Sequence, residues 1–502
     1  MRPSRLLMVT FVSLAAMTII SSAQTFSTLA SFDGTNGSLP ALGALVQGTD
    51  GNFYGTTTAG GTSTQCNGGC GTVFKMSPSG VLTMLYSFCS QPNCTDGKIP
   101  YATLVQASDG NFYGVTFEGG GNGDGCDEGC GTLFKITSGG TLTTLYSFCS
   151  QASCADGGNP EDSSGLTQGS DGNLYGATAT GGTGLGLYGS GTIFKISLGG
   201  TLTTVYNFCP DSRCSSGYHD NAGLVQGSNG NFYGVTYEGG YGNSGTVFTI
   251  SPQGKEATIY TFCLDHSTCS DGAEPIGLIS APSGNFYGVT GFGGAHGAGT
   301  IFEITPAGAL TTLYSFCAQP NCADGLYPVG GLALGTDGNV YGTTLWGGIV
   351  GCYDEYGCGT AFKVTPAGEL TTLHTFCTQT GCPDGYDPEG TLMQATNGAF
   401  YGTTNIGGAD SLYGTVFRLA DGLKPFVETR PVSGRAGASV IILGSNLMGS
   451  INVSFNGTTA SFTVVSRSEI KAVVPSGATT GPVVVTTPGG ALTSNVNFRI
   501  LQ

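Results

Sequence analysis

The sequence predicts an all-β protein: a seven-bladed β-propeller followed by a small immunoglobulin-like β-sandwich. Three observations carry this. A Tyr-Gly step recurs at Tyr54, Tyr113, Tyr175, Tyr233, Tyr287, Tyr341 and Tyr401, at intervals of 59, 62, 58, 54, 54 and 60 residues. A repeat of that length is one supersecondary unit stacked on its neighbours. Between the steps, short runs alternate apolar and polar residues and are bounded by Gly-rich turns, and no long stretch has helical periodicity. After Leu423 the texture changes: cysteine disappears, and Val, Ile and Asn rise.

Residues 1–23 read as a signal peptide. Arg2 and Arg5 form a basic start, Leu6 to Ile20 is apolar, and Ser21-Ser22-Ala23 offers the small residues a signal peptidase reads. Cleavage is expected before Gln24. The apolar run is shorter than the roughly 20 residues a spanning helix needs. The expected location is therefore secreted or cell-surface, with no transmembrane segment once the signal is removed.

Residues 309–366 show one repeat. Leu310 to Phe316 alternates like a half-buried strand, and a loop with two Cys and an Asp-Gly follows. Gly331 to Leu334 is a short second strand, and Asp337-Gly338 turns the chain, because Gly accepts positive φ. Val340 to Thr344 is the third strand, a Gly-rich loop follows, and Thr360 to Val364 is the fourth. A lone four-stranded sheet has two edges and too little core, so sheets packed face to face around an axis are expected. The Gly of each Tyr-Gly step is expected to let neighbouring sheets approach. With the Asp-Gly hairpin joining the two innermost strands, the last repeat lacks its outer strand. Thr25 to Phe32 matches that strand, so the propeller is expected over 24–422, with 25–32 closing the last blade and hiding its open edge.

The 18 Cys form nine local pairs. Six follow the outer strand: Cys89/Cys94, Cys149/Cys154, Cys209/Cys214, Cys263/Cys269, Cys317/Cys322 and Cys377/Cys382. Three lie in the loop after the Tyr-Gly strand: Cys66/Cys70, Cys126/Cys130 and Cys352/Cys358. They come and go as pairs, which is how disulfide partners behave in an exported protein. Only three repeats hold both kinds of pair, so a Cys₄ zinc site could not serve the others. No metal is expected.

Strand parity places both Cys-bearing loops at one end of the blades and leaves short turns at the other. One face is elaborated and one is plain, and a surface function belongs to the elaborated face. Two residues before each Gly-Gly vary there against a fixed frame. Phe117, Glu118, Tyr237, Glu238, Phe292 and Trp346 are the candidate ligand-binding residues, because aromatic faces beside carboxylates suit sugar rings. The repeated Asp33, Asp96, Asp156, Asp271, Asp324 and Asp384 precede Gly and read as turn-formers, since no copy has the acidic run of a calcium loop. His219, His266, His296 and His374 occupy unrelated repeat positions. No nucleophile elbow or phosphate loop occurs, so no cofactor and no catalytic residue are assigned. The expected function is binding or surface interaction, with an extracellular glycan or surface protein as partner. The alternative is a glycan-cleaving enzyme using acidic residues such as Glu118 and Glu238.

Charge excludes one partner class. Residues 24–423 hold 8 Lys+Arg against 30 Asp+Glu, a net of −22, while 424–502 hold 6 against 2. An acidic repeat region repels phosphate backbones, so nucleic acid is not expected.

Residues 423–502 show short strands around Val440–Gly444, Ile451–Phe455, Ile470–Val474, Gly481–Thr486 and Val496–Ile500. With Pro431, Gly434, Gly437, Phe455-Asn456-Gly457, Val474-Pro475 and Gly481, this region resembles an IPT/TIG immunoglobulin-like domain, which implies a spacer or adhesive module. The repeats, through Asp50-Gly51-Asn52-Phe53-Tyr54-Gly55-Thr56-Thr57, Gly60-Gly61 and Gly71-Thr72-Val73-Phe74-Lys75, resemble the Gloeobacter/Verrucomicrobia tandem-repeat family (GloVer repeats) over roughly residues 25–420. That resemblance implies an exported bacterial protein and transfers no activity.

Overall fold

The computed structural model describes residues 24–40, 43–121, 126, 128–160, 165–184, 189–210, 214–218, 223–264, 268–348, 356–410 and 412–501. The expected signal (1–23), His219, His266 and Cys352 lie outside the described residues. The fold is all-β and propeller-like. Its only helical elements among the described residues are three one-turn 3-10 segments, at Pro92–Cys94, Ala152–Cys154 and Pro320–Cys322. No helix among the described residues is long and apolar enough to cross a membrane.

The Tyr-Gly repeats build seven antiparallel sheets, numbered here by their Tyr-Gly step. In the second, Val105–Gln106, Phe112–Thr116, Thr132–Ile136 and Leu142–Ser147 pair in chain order. The seventh is ordered Met393–Gln394, Phe400–Thr404, Thr415–Ala420 and then Thr25–Ser31. There Thr25 lies opposite Ala420 and Ser31 opposite Thr415. In the first sheet, Ser38–Pro40 also pairs with the far end of Phe53–Ala59.

Packing repeats from sheet to sheet. A Phe at the end of each outer strand meets, edge to face, a Phe on the third strand of the next sheet. The pairs are Phe88–Phe134, Phe148–Phe194, Phe208–Phe248, Phe262–Phe302, Phe316–Phe362 and Phe376–Phe417, with centroids 5.1–5.5 Å apart. Phe32, just after the N-terminal strand, makes the same contact with Phe74 of the first sheet at 5.1 Å. The step tyrosines add a second layer: Tyr54 stacks on Phe112 at 4.0 Å, and Tyr401 on Phe53 at 4.3 Å. Inner-strand glutamines add a third. Gln106, Gln168, Gln226, Gln394 and Gln47 accept the backbone N–H of Thr49, Ser108, Ser170, Thr336 and Thr396 at 2.9–3.1 Å, each from an adjacent sheet. The inner strands of all seven sheets line one axial cavity of about 200 Å³.

The step glycine has a different role from the expected one. Gly55 lies opposite Phe74 in the same sheet. A Cβ there would sit 2.6 Å from Phe74 Cζ. The glycine makes room for the ring of its own sheet, and that ring then reaches the neighbouring sheet.

The C-terminal region is a two-sheet sandwich. Val427–Arg430, Ser439–Gly444, Glu469–Val473 and Phe462–Val464 face Thr458–Thr459, Asn452–Phe455, Val483–Thr487 and Gly490–Thr493 across a core that includes Val440, Val453, Phe455, Val485 and Phe498. It sits on the plain face of the repeat region. Arg430 Nη1 donates to Gln106 Oε1 at 2.9 Å, and Ser468 Oγ to the Thr49 carbonyl at 2.7 Å. Thr396 and Ser445 share a 2.9 Å hydroxyl contact, and Arg499 donates to the Ser228 carbonyl. A spacer role predicts no such seating. The short turns of the plain face provide a flat platform, and the domain uses it.

Candidate functional site

The elaborated face is built by the segment that leaves each outer strand and crosses to the next sheet. Its first part is the Cys loop. Disulfides join Cys66–Cys70, Cys89–Cys94, Cys126–Cys130, Cys149–Cys154, Cys209–Cys214, Cys263–Cys269, Cys317–Cys322 and Cys377–Cys382. Cys358 is also bonded. Two groups of close sulfurs, Cys66/Cys70/Cys89 and Cys130/Cys149/Cys154, are thus already committed to disulfides.

The Asp that ends the loop does more than turn the chain. Asp96 is fully buried and accepts from Tyr86 Oη at 2.8 Å, Ser90 N at 2.9 Å and Gln91 N at 3.3 Å. Asp156 and Asp324 repeat the pattern with Tyr146 and Tyr314. Each carboxylate collects the donors of the loop it closes, and burial with that carboxylate pushes the Tyr86 phenol up to about 12.

The segment then runs Asp-Gly-X-X-Pro and pairs with the variable residues ahead of each Gly-Gly. Bridges form at Lys98/Glu118, Tyr218/Glu238, Leu326/Trp346 and Tyr386/Ile406, and Ala273 lies opposite Phe292. The second X is left-handed at Ile99, Asn159, Glu274, Tyr327 and Asp387, with φ of 49–57°. This residue type varies as much as the pair it faces, and sequence reasoning passed over it. The signal was available: it is the second variable position between Asp-Gly and Pro.

These segments divide the six candidates. Phe117 packs edge-on against Tyr101 at 5.6 Å, and Glu118 pairs with Lys98 at 3.1 Å, so both are engaged on the second sheet. Glu238 hydrogen-bonds to Tyr218 on the fourth. Phe292 and Trp346 are brought together by Tyr327, whose ring lies 4.7 Å from Phe292 and stacks on Trp346 at 4.9 Å. Tyr356 continues the stack at 5.1 Å. Phe292 and Tyr356 are 40% and 60% exposed, so the stack reaches solvent. Gly291 makes this possible: a Cβ there would lie 3.0 Å from the Tyr327 ring. Where other sheets place Phe117, Tyr237 or Leu345, the fifth has no side chain, and Tyr327 leans into the space.

Tyr237 joins through its hydroxyl, hydrogen-bonded to Glu274 and Tyr327. Burial, then these partners, push its phenol far above the usual range. Tyr327 is also raised, by burial and by the nearby charges of Glu274 and Glu389. Glu389 accepts from Asn405 Nδ2 at 2.7 Å, and burial with Asp387 beside it lifts its carboxyl to about 7. Glu274 Oε2 is shielded from solvent and has no hydrogen-bond partner among the described residues. The result is an aromatic stack flanked by Glu274, Asp387 and Glu389, on sheets four to seven of the elaborated face.

The sequence profile of the Gloeobacter/Verrucomicrobia repeat matches residues 16–126, 64–268 and 260–461, and that of the IPT/TIG domain matches 427–500. No curated protein matches the chain. Among solved structures, the chain is similar to a fungal alcohol oxidase of the AA5 family in complex with copper, with 12% identity and a TM-score of 0.52, over 96% of this chain and 100% of that one. At that identity the likeness shows the fold alone. An extracellular domain from B. thetaiotaomicron matches at 10% identity and a TM-score of 0.47, over 96% of this chain and 58% of that one. A Mycobacterium tuberculosis puromycin-hydrolyzing peptidase matches at 11% and 0.44, over 82% and 58%.

Proposed function

The chain belongs to the Gloeobacter/Verrucomicrobia repeat family and carries an IPT/TIG domain, and we propose that it is an exported binding protein that holds a carbohydrate on its elaborated face. In this reading residues 1–23 are the export signal, and 24–422 form a closed seven-bladed ring completed by the N-terminal strand. Residues 423–502 cap the plain face. The many disulfides support an oxidising compartment.

The observation that carries the carbohydrate reading is the Phe292–Tyr327–Trp346 stack, which ends in exposed ring surface. Sugar rings present apolar C–H faces that pack on aromatic rings, and hydroxyl rims that need acceptors nearby. Glu274, Asp387 and Glu389 supply acceptors at the stack. A glycan array probed with the parent protein, Trp346→Ala and Phe292→Ala tests this. Binding lost in both variants supports the site, and binding retained in both refutes it. The glycan-cleaving alternative is read in the same experiment as product released from an intact glycan. Glu118 is a poor centre for it, because Lys98 holds its carboxylate.

A further inference from the structure

The site carries more negative charge than a neutral sugar calls for. Glu274 and Glu389 both act on the Tyr327 phenol, and Asp387 acts on Glu389. No Lys or Arg is bonded to any of the three in an ion pair among the described residues. Glu274 additionally keeps one shielded carboxylate oxygen without a donor among the described residues. Removing carboxylates from water without a counter-charge is costly, and a bound cation offsets that cost.

The geometry selects the kind of cation. Among the described residues, no three carboxylates converge to the spacing of a metal-ion site; the only such groups are cysteine sulfurs. A hard divalent cation wants six or more oxygen ligands, not aromatic walls. An organic ammonium is different: it is held by ring faces and by carboxylates at the edge. Tyr327 and Trp346 present those faces, stacked at 4.9 Å with 19° between planes. The acidity of the whole repeat region, net −22 over 24–423, raises the local concentration of cationic ligands near it.

We propose that this basin selects a glycan bearing unsubstituted amines, with the sugar ring on the Trp346–Tyr327 stack and the protonated amine among Glu274, Asp387 and Glu389. The proposal rests on the carbohydrate reading and narrows it to amino sugars. Its donors and acceptors are all on the page: the ammonium supplies up to three N–H groups, and the carboxylates accept them.

Calorimetric titration of the full chain with a β-1,4-glucosamine hexamer, its fully N-acetylated counterpart and a lysine hexapeptide tests it. The glucosamine hexamer is expected to bind at least roughly tenfold more tightly than either of the others, the scale of one charge-assisted contact with a cation–π face. Glu389→Gln and Trp346→Ala should each weaken that binding by roughly tenfold. Glu128→Gln, which removes an exposed acid on the second sheet, should leave it unchanged. Circular dichroism and melting of each variant confirm folding, and Trp346→Ala, at a partly exposed position, keeps the test intact if Glu389→Gln is unstable. Equal binding of the acetylated hexamer overturns the amine and leaves the carbohydrate reading standing. No binding of either hexamer overturns both. Equal binding of the lysine peptide, or equal loss in Glu128→Gln, reduces the effect to bulk charge and overturns the proposal.

Discussion

Replacing Phe32 with Ala tests whether the two ends of the repeat region form one ring. Phe32 is 1% exposed and follows the N-terminal strand, far in sequence from the seventh sheet it joins. Its backbone N–H donates to the Gly414 carbonyl at 3.0 Å, and its ring meets Phe74 of the first sheet at 5.1 Å. Six other junctions have the same contact, so Phe88, 0% exposed and 5.2 Å from Phe134, is an internal standard. Truncating a buried Phe to Ala costs about 3–5 kcal/mol. If some 400 residues melt as one unit at about 2.1 cal/mol/K per residue, the midpoint falls about 4–6 °C. Thermal unfolding by circular dichroism of Phe32→Ala, Phe88→Ala and a protein lacking residues 24–33 makes the comparison. Equal shifts for the two point variants, and a larger one for the deletion, are expected. If Phe88→Ala melts early while Phe32→Ala and the deletion melt like the parent, the end-to-end junction contributes nothing and closure by the N-terminal strand is wrong.

Three further outcomes follow from the same contacts. Glu389 is raised from 4.5 to about 7, so folded and unfolded states are both protonated below pH 4.5, and stability falls as pH rises from there to about 7, by on the order of 3 kcal/mol; urea unfolding of Glu389→Gln against the parent should show its relative stability rising across that window, and a flat difference would refute the raised carboxyl. Arg430→Ala should cost roughly 1–3 kcal/mol by leaving Gln106 without its charged donor and should split the IPT/TIG domain from the main calorimetric transition; an unaltered single transition would mean the seating does not couple the two. Replacing Cys89 and Cys94 together with Ser opens a short loop and should cost about 2 kcal/mol in the chain-entropy model, with local proteolysis near Asp96 rather than global unfolding; limited proteolysis with mass mapping reads this, and cleavage spread over the chain would refute it.

Much of the fold was legible because it is periodic. The Tyr-Gly steps, Asp-Gly turns and alternating outer strands repeat, and each repeat reports the same local physics of turn and strand. The Cys pairs were legible for the same reason: partners lie four to six residues apart, so pairing is a local question. The role of the step glycine was not, because it depends on which ring, Phe74 or a neighbour's, occupies the space above Gly55. The buried donors gathered by Asp96 were likewise invisible in an Asp-Gly dipeptide.

The candidate site shows where the division falls. The sequence by itself determined the repeat, the strand pattern, the acidic repeat region and the face on which variable residues such as Phe292 and Trp346 lie, since each depends on spacing or composition. Only the tertiary structure decided which of those residues act together. Phe117 and Glu118 were taken by Tyr101 and Lys98, while Phe292 and Trp346 were joined by Tyr327 across the empty position at Gly291. The physical reason is that each crossing segment comes from the preceding outer strand and lies against the next sheet, so the residues that meet are a full strand and loop apart. Their meeting is set by side-chain volume and charge across an inter-sheet gap, which no local pattern encodes.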